Sequence, residues 1–188
     1  MSFINLTREE KSSLLDIAMQ SIRYGLQHNA PLPVEVSDYS PQLQANAASF
    51  VTLNLHKQLR GCIGTLEAHQ ALVRDVAEHA YAAAFSDPRF SAVTAAEVEQ
   101  LDIHISILTP GEAIDYSDEA DLLRQLEPGT DGLILQDEFH RATFLPSVWE
   151  QLKEPEEFLG HLKRKAGWPA DYWSDDIRAF RYRAISIE

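Results

Sequence analysis

The chain has 188 residues, of which 45% are apolar and 24% are charged, and its formal net charge is −13. This composition is typical of a globular protein with one substantial core, and the negative charge argues against general binding to nucleic acids or anionic membranes. Its single cysteine cannot form an internal disulfide, and no apolar run approaches the roughly 20 residues of a membrane helix. The first residues lack the pattern of a secretion signal, so we expect a cytoplasmic protein.

The N-terminal segment predicts an amphipathic helix. Thr7 and Glu10 have the spacing of a capping box, and apolar residues recur at helical intervals as far as Leu26. The helix is expected to end at residues 28–29, before two prolines, and residues 31–47 are expected to form an irregular connection.

Residues 49–64 predict a β-hairpin, because apolar and polar residues alternate on both sides of a short turn. The length of the turn decides where the side chain of Cys62 points. A two-residue turn at 57–58 would pair Leu53 with Cys62 and place the thiol on the apolar face of the hairpin.

A three-residue turn at 56–58 would instead pair Leu53 with Gly61 and put Arg60 and Cys62 on the polar face. We favour this register because a slip of one residue would bury Arg60. This register also keeps Leu59 and Ile63 on the same face as the other apolar side chains, and it pairs Leu55 with Leu59.

The elements that follow the hairpin are two helices and a strand. The apolar pattern predicts a helix over residues 70–85 and a shorter one over 94–100. Strict alternation predicts a strand over 101–108, with His104 and Ser106 on the side opposite to the isoleucines.

A similar series of elements is predicted in the second half of the chain. A hairpin at 132–145 precedes a helix that begins at 146–147 and a second helix over 156–166, which Gly167 is expected to cap. The last strand is expected over residues 180–187.

Two nearly equal offsets suggest that this plan is used twice. Arg141 lies 81 residues after Arg60, and Ile185 lies 80 residues after Ile105. We therefore predict a single α+β domain over residues 1–188, built from two related β-hairpin–αα–β repeats and an N-terminal helix. The repeats span about 48–109 and 129–188, joined by a linker at 110–128 with a short helix near 118–126. Identity between the halves is sparse, so coincidence is the alternative.

Cys62 has two interpretations, as a small packed side chain or as an activated nucleophile. Arg60 and the N-terminus of the helix near residue 70 would stabilise a thiolate. Gly61 and Gly64 would leave room for a ligand to reach backbone N–H groups. Alternatively, the two glycines mark a bulge or a barrel corner.

A thiol catalyst also needs a base, and the candidates are His56 in the turn and His69, seven residues after Cys62. No metal site is predicted, because the chain has neither Cys-x-x-Cys nor His-Glu-x-x-His. Asp75 and His79 are one helical turn apart and suggest an exposed acidic face. No phosphate loop or dinucleotide fingerprint indicates a cofactor.

The stretch Asp87-Pro88-Arg89-Phe90 also has two interpretations. In the first, Pro88 ends the preceding helix and Phe90 anchors the loop in the core. In the second, Arg89 points into a cleft and binds an acidic ligand, while Asp87 orients the guanidinium.

Several motifs occur in one order along the chain and together closely resemble the AMMECR domain family, whose bacterial members are called protein A of the AmmeMemoRadiSam system. The match covers roughly residues 10–187. The resemblance implies an α+β fold in which two related halves share one barrel-like, mainly antiparallel sheet. It also implies an association with a Memo-like protein and a radical S-adenosylmethionine protein, but no substrate. The motifs are Leu59-Arg60-Gly61-Cys62-Ile63-Gly64, Ala82-Ala83-Ala84-Phe85, Asp87-Pro88-Arg89-Phe90, Ala142-Thr143-Phe144-Leu145-Pro146 with Val148, Phe158-Leu159 and Lys165-Ala166-Gly167.

From these observations we expect a binding or adaptor subunit, with a cleft around Arg60 and Cys62 for a small anionic ligand or for the radical enzyme. The alternative is a cysteine-dependent enzyme or modification factor that uses Cys62 on a small anionic substrate. A third hypothesis is that these residues only shape a corner of the fold. The sequence assigns no reaction.

Overall fold

The computed structural model describes residues 5–188, which divide into two compact units. The first unit contains the residues up to Leu108 together with Ile185–Glu188, and the second contains Thr109–Ala184. The described helices are α1 (Arg8–His28), α2 (Pro41–Gln44), α3 (Leu72–Phe85), α4 (Ala95–Val98), α5 (Glu119–Gln125) and α6 (Pro155–Ala166), with 3₁₀ turns at Val36–Asp38 and Pro146–Glu150. The described strands are β1 (Ala48–Leu55), β2 (Gln58–Gly64), β3 (Leu101–Leu108), β4 (Glu112–Ala113), β5 (Gly132–Gln136), β6 (Arg141–Phe144), β7 (Arg178–Tyr182) and β8 (Ala184–Ile187). Within residues 5–188, no helix has the length and apolar character needed to cross a bilayer.

Helix α1 begins at the predicted capping box. The Thr7 N–H donates to Glu10 Oε2 at 2.8 Å, and the Glu10 N–H donates to Thr7 Oγ1 at 3.2 Å. The helix ends where Asn29 adopts a left-handed conformation with φ of 51°. Its apolar stripe packs against α3, so the predicted amphipathic helix is confirmed.

The first unit contains a four-stranded sheet in the order β2-β1-β3-β8. Strand β1 is antiparallel to both of its neighbours. Val51 and Leu53 of β1 and Ile105 and Ile107 of β3 are buried in one core with α1 and α3. Because side chains alternate along a strand, Thr52 projects from the opposite face of this sheet.

The turn between β1 and β2 differs from both predicted turns. It is a two-residue turn at His56 and Lys57, whose φ angles of 52° and 66° are those of a type I′ turn. This turn pairs Leu55 with Gln58 rather than with Leu59, which was the predicted partner. Neither predicted turn position was therefore correct.

A register shift after the turn restores the pairing that we favoured. One extra residue in β2 opposes β1, so that Leu53 pairs with Gly61 and Thr52 pairs with Cys62. The prediction that Cys62 projects away from the core is confirmed. The prediction for Leu59 is wrong, because the bulge leaves its side chain 43% exposed.

The second unit has its own sheet, in the order β4-β7-β5-β6. Its core includes Trp149, whose ring stacks on Phe158 at 3.8 Å between centroids. Helix α6 ends at Gly167, which has φ of 97° and caps the helix as predicted. The expected helix after residue 146 is only a 3₁₀ turn.

The fold is a mixed arrangement of helices and antiparallel strands, as predicted, but the predicted shared barrel-like sheet is replaced by two separate four-stranded sheets. The expected final strand is divided between them, with β7 in the second sheet and β8 in the first. Residues 110–128, predicted as a linker, contribute β4 and α5. The orders β2-β1-β3 and β6-β5-β7 correspond to each other, and duplication remains a prediction.

Candidate functional site

The carboxylate of Asp87 joins the loop after α3 to strand β2. Asp87 is buried, and its Oδ2 accepts a hydrogen bond from the Cys62 backbone N–H at 2.9 Å. Its Oδ1 accepts the Arg89 backbone N–H at 3.1 Å. Two sequence motifs that lie 25 residues apart therefore meet at one carboxylate.

Asp87 also forms a two-pronged ion pair with Arg89. The guanidinium donates from Nε to Oδ1 at 3.0 Å and from Nη2 to Oδ2 at 2.7 Å. These hydrogen bonds hold the pKa of Asp87 well below its usual range, although burial acts in the opposite direction. The hydrogen bond to Asp87 likewise raises the pKa of Arg89. The pair is therefore ionised at neutral pH.

The two partners differ in their access to solvent. The Asp87 side chain is 2% exposed, whereas that of Arg89 is 55% exposed. Arg89 Nη2 also lies 3.5 Å from the Cys62 carbonyl oxygen, and the guanidinium lies 5.4 Å from the centre of the Phe90 ring. Phe90 is half-buried rather than part of the core, so Val93, which is 3% exposed, anchors this loop instead.

Asp87 and Arg89 cover an open edge of the first sheet. The Thr65 N–H donates to the Ser49 carbonyl, so Ser49 and Thr65 form a hydrogen-bonded pair. Hydrogen-bonded and non-hydrogen-bonded pairs alternate along an antiparallel ladder. The Thr52–Cys62 pair, three positions farther on, therefore has no mutual backbone hydrogen bonds. The N–H and C=O of Cys62 consequently point away from β1. Asp87 accepts this N–H, and the Arg89 guanidinium faces this C=O, which blocks the pairing of another strand at Cys62.

Arg60 fixes the same loop farther along. Its Nε donates to Glu97 Oε1 at 2.8 Å, and its Nη1 and Nη2 donate to the Ser91 and Ala92 carbonyls at 2.8 and 3.2 Å. Hydrogen bonding to Arg60 lowers the pKa of Glu97 to about 2. The predicted contribution of Arg60 to ligand binding stays a prediction, and most of its donors are already occupied.

The Cys62 thiol is half-buried, and its contacts are with β1 rather than with Arg60. The Thr52 hydroxyl donates to Cys62 Sγ at 3.2 Å. In the described chain, the arginine near Cys62 is Arg89 rather than Arg60, and its Nη2 lies 3.5 Å from the Cys62 backbone carbonyl oxygen.

The two glycines of the motif are required by packing. A Cβ atom on Gly61 would overlap the backbone carbonyl of Ala83 in α3. A Cβ atom on Gly64 would overlap the Phe50 ring and the Ser49 carbonyl. Protein atoms therefore fill the space beside each glycine where we expected room for a ligand. Binding of a ligand to the backbone N–H groups of Gly61 and Gly64 stays a prediction.

The two predicted base candidates lie at exposed positions. His56 is in the turn, and His69 Nδ1 is 2.9 Å from the Glu67 carbonyl oxygen. Across residues 5–188, no histidine forms a hydrogen bond with Cys62. A catalytic role for either one stays a prediction.

The structure places another histidine, His104, on the same sheet face as Cys62. Thr52 pairs with Cys62 on one side and with His104 of β3 on the other, which creates a row across three strands. Sequence reasoning put His104 on the polar side of its strand but did not predict that β3 pairs with β1. That pairing was the missing signal.

A second polar cluster corrects a prediction. Asp75 and His79 do not form an exposed acidic face, because Asp75 is fully buried. Its Oδ2 accepts the Ser49 hydroxyl at 2.6 Å and lies 3.1 Å from His79 Nδ1. Asp75 follows Leu72 by three residues and therefore lies on the apolar stripe of α3, a spacing that sequence reasoning overlooked.

In the part of the chain that the structure describes, no group of three or more histidine, cysteine, aspartate or glutamate side chains is placed to hold a metal ion. The surface around Cys62 thus offers a partly exposed guanidinium, a hydrogen-bonded thiol and a nearby imidazole. Such groups can bind an anionic partner or ligand.

The comparison with family models agrees with the motif resemblance. The model of the AMMECR1 family matches residues 15–187. The match therefore includes the loop after α3, both hairpins and β8.

Relatives in archaea extend over nearly the same length. Protein MJ0810 of Methanocaldococcus jannaschii is 36% identical over 159 residues, which cover 82% of this chain and 79% of that protein. A protein of Methanothermobacter thermautotrophicus is 35% identical over 188 residues, covering 98% and 96%. The crystal structure of the uncharacterized protein PH0010 from Pyrococcus horikoshii is similar with a TM-score of 0.89 and 31% identity, covering 98% and 93%.

Proposed function

The chain belongs to the AMMECR1 family, and we propose that it acts as a binding or adaptor subunit whose contact surface is formed by Cys62, Asp87 and Arg89. The observation that carries this proposal is the buried Asp87 carboxylate, which holds the Cys62 backbone and the Arg89 guanidinium together. A side chain fixed in this way is preorganised, so binding an anion through it costs little ordering of the protein.

Arg89 supplies the cation of the proposed surface. Asp87 occupies the Nε and Nη2 side of the guanidinium, and within residues 5–188 Nη1 forms no hydrogen bond. A carboxylate or phosphate of a partner can therefore approach Nη1, since more than half of the side chain is exposed. Arg60 is a weaker candidate because its side chain is only 13% exposed.

Binding is favoured over catalysis by the surroundings of the thiol. A cysteine nucleophile is usually activated by an adjacent base, and in the described residues the hydrogen-bonding partner of Cys62 Sγ is the Thr52 hydroxyl. A neutral hydroxyl is too weak a base to remove the thiol proton.

The partners in this proposal are those that the family resemblance implies, a Memo-like protein and a radical S-adenosylmethionine protein of an AmmeMemoRadiSam-type system. Because the chain is strongly negative, we expect the partner to have a basic surface. Within that surface, one anionic group of the partner would contact Arg89. We place this assembly in the cytoplasm, where a protein with one free cysteine remains reduced.

The proposal is tested by measuring the affinity of the full chain for purified Memo-like and radical S-adenosylmethionine proteins from the same organism. We expect Arg89→Ala to weaken binding by about tenfold or more, because an exposed, oriented guanidinium is a typical interface anchor. Cys62→Ser should leave the affinity within about twofold, because Asp87 holds the backbone N–H of residue 62 rather than its side chain. The matched control is Arg178→Ala, an exposed arginine of β7. Absence of binding to both proteins, or equal binding by Arg89→Ala, would contradict the proposal.

A cysteine-dependent enzyme or modification factor is the second candidate, and the Arg89 guanidinium beside the Cys62 backbone favours it. If this site receives a small anionic substrate, the ratio of the alkylation rate with iodoacetate to that with iodoacetamide should be higher for Cys62 than for glutathione. Arg89→Ala should reduce that ratio by about fivefold. A ratio equal to that of glutathione in both proteins would eliminate this candidate.

A further inference from the structure

The outer edge of β2, on the side away from β1, is only partly occupied by the loop after α3. The pairs that β2 forms with β1 at Cys62 and at Gly64 both lack mutual backbone hydrogen bonds, because such pairs alternate with hydrogen-bonded ones along the ladder. The N–H and C=O groups of both residues therefore point outward. Those of Cys62 face Asp87 and Arg89, whereas those of Gly64 form no hydrogen bond within residues 5–188. Since Gly64 is only half-buried, this edge is a candidate position for a partner strand.

The Arg89 guanidinium lies on the side of the Cys62 N–H that is nearer to Gly64. Along β2, the outward groups occur in the order Cys62 N–H, Cys62 C=O, Gly64 N–H and Gly64 C=O. Asp87 Oδ2 accepts the first of these groups, while Arg89 Nη2 lies 2.7 Å from that oxygen and 3.5 Å from the oxygen of the second group.

The Gly64 N–H is therefore close enough to Arg89 for the two to share one ligand. The distance along the edge from the Cys62 C=O to the Gly64 N–H is less than the two-residue repeat of a strand, about 6.6 Å. A carboxylate has two oxygens, and each accepts a hydrogen bond. One carboxylate over this interval can accept from the Gly64 N–H with one oxygen and from Arg89 with the other.

The order of the backbone groups determines the direction of a chain that pairs with this edge. An antiparallel residue opposite Gly64 accepts the Gly64 N–H with its carbonyl oxygen and donates its own N–H to the Gly64 C=O. Such a chain runs from Gly64 toward Cys62, where Asp87 and Arg89 already occupy the edge. A chain that ends opposite Gly64 avoids this obstruction, and its terminal carboxylate then meets Arg89.

Charge disfavours a chain of the opposite direction. A parallel chain that begins at this position would have its first residue, rather than its last, nearest to Arg89. The guanidinium repels a free amino group and attracts a carboxylate. Strand direction and electrostatics therefore select the same chain end.

From these observations we infer that the outer edge of β2 binds the C-terminal residue of an extended peptide, with its carboxylate between the Gly64 N–H and Arg89 and its N–H on the Gly64 C=O. The inference rests on the proposed function, because it names the chemistry of the partner that Arg89 contacts. A partner recognised in this way has a free C-terminal segment, and an acidic side chain within a folded surface does not replace it.

The test titrates the full chain, labelled with ¹⁵N, and follows the Gly64 amide signal by NMR. The probe is an acetylated tetrapeptide of alternating threonine and valine that ends in a free carboxylate, and the comparisons are its C-terminal amide and acetate. We expect a saturable shift with the free acid. The amide should bind at least about tenfold more weakly, because it lacks the charge that meets Arg89. Acetate should also bind at least about tenfold more weakly, because it has no N–H for the Gly64 C=O.

Methylated probes test the register. An N-methyl group on the last residue of the peptide removes the hydrogen bond to the Gly64 C=O, and we expect about fivefold weaker binding. An N-methyl group on the preceding residue is the matched control, because the N–H of that residue points away from β2 in an antiparallel pair. This control should bind within about twofold of the unmethylated peptide.

A pair of protein variants tests the contribution of the guanidinium. Arg89→Ala should weaken binding of the free-acid peptide by about tenfold, and a circular-dichroism melt checks that this variant is folded. Arg74→Ala, at an exposed position of α3 in the same unit, removes the same charge and should bind normally.

The inference is overturned if the free acid gives no saturable shift, if the amide or acetate binds as tightly as the free acid, or if the two methylated peptides bind equally. These outcomes need no protein variant. If the peptides fail while partner binding still depends on Arg89, only this inference falls and the proposed function stands.

Discussion

Arg60 and Arg89 use their guanidinium groups differently, although both contact the same loop. Arg60 is 13% exposed and bonds to Glu97 and to two loop carbonyls, so it fixes the backbone. Arg89 is 55% exposed and is oriented by Asp87. A desolvated arginine with several acceptors stabilises local structure, whereas an exposed arginine held by one carboxylate remains available to a ligand.

The ion pair of Arg60 and Glu97 makes a pH-dependent contribution to stability. The pKa of Glu97 falls from 4.5 to about 2 in the folded chain, chiefly through hydrogen bonding to Arg60. The lowered pKa means that this contribution is complete above about pH 4.5 and is lost as the pH falls toward about 2. We therefore expect Glu97→Gln to lower the urea midpoint at pH 7, and the difference from the unmodified chain to shrink below pH 4.5.

The matched control for this experiment is Glu99→Gln. Glu99 pairs with Arg23 at the surface, where its side chain is 69% exposed, so its removal should change the midpoint little at any pH. A difference for Glu97→Gln that stays constant between pH 7 and pH 3 would contradict the assignment.

At the scale of elements, the packing of β2 against α3 explains the composition of the motif around Cys62. Gly61 lies against the Ala83 carbonyl, so the strand and the helix are closer than any side chain on Gly61 would allow. The bulge before Gly61 returns β2 to the register that pairs Cys62 with Thr52. Helix, bulge and glycine together determine which face of the sheet carries the thiol.

Gly61→Ala tests this packing. The added methyl group meets backbone atoms of Ala83 that cannot move independently of α3, and we expect a loss of about 2–3 kcal/mol in the free energy of unfolding. Gly160→Ala in α6 is the control, because its Cβ would be 3.9 Å from Ala170 and alanine favours a helix. Urea denaturation should show this control at equal or higher stability. Equal stability of Gly61→Ala and the unmodified chain would contradict the close packing.

At the scale of the whole molecule, the first unit is discontinuous in sequence. Strand β8 follows β7 directly, but β8 lies beside β3 in the first sheet, while β7 pairs with β5 in the second. Ile187 of β8 is 3% exposed and belongs to the first core. The first sheet is therefore complete only when the last residues of the chain have joined it.

Ile187→Ala should destabilise the first unit specifically. We expect a loss of about 2–4 kcal/mol, from apolar area and from the cavity that remains. Hydrogen exchange should accelerate in β3 more than in β5. Ile177→Ala, at a residue that is also 3% exposed but belongs to the second core, is the control and should show the reverse. Equal acceleration of both strands in both variants would contradict a division into two units.

Much of the fold could be predicted because the signals are local. The capping box at Thr7, the alternation in β3 and the glycine after α6 each depend on residues within one element. The shared sheet was predicted wrongly, because a strand pattern does not state which distant strand is its neighbour. One alternating run near the end of the chain therefore appeared as a single strand, although it contributes to two sheets.

The sequence by itself determined the start and end of α1, the end of α6, the polar direction of the Cys62 side chain and the motifs that identify the family, since periodicity and turn chemistry act over a few residues. Only the tertiary structure decided that Asp87 holds Cys62 and Arg89 together, that Arg60 is bound to Glu97, and that His104 shares a face with Cys62. These contacts join residues from different elements, and their geometry depends on strand order and helix packing, which local patterns do not encode.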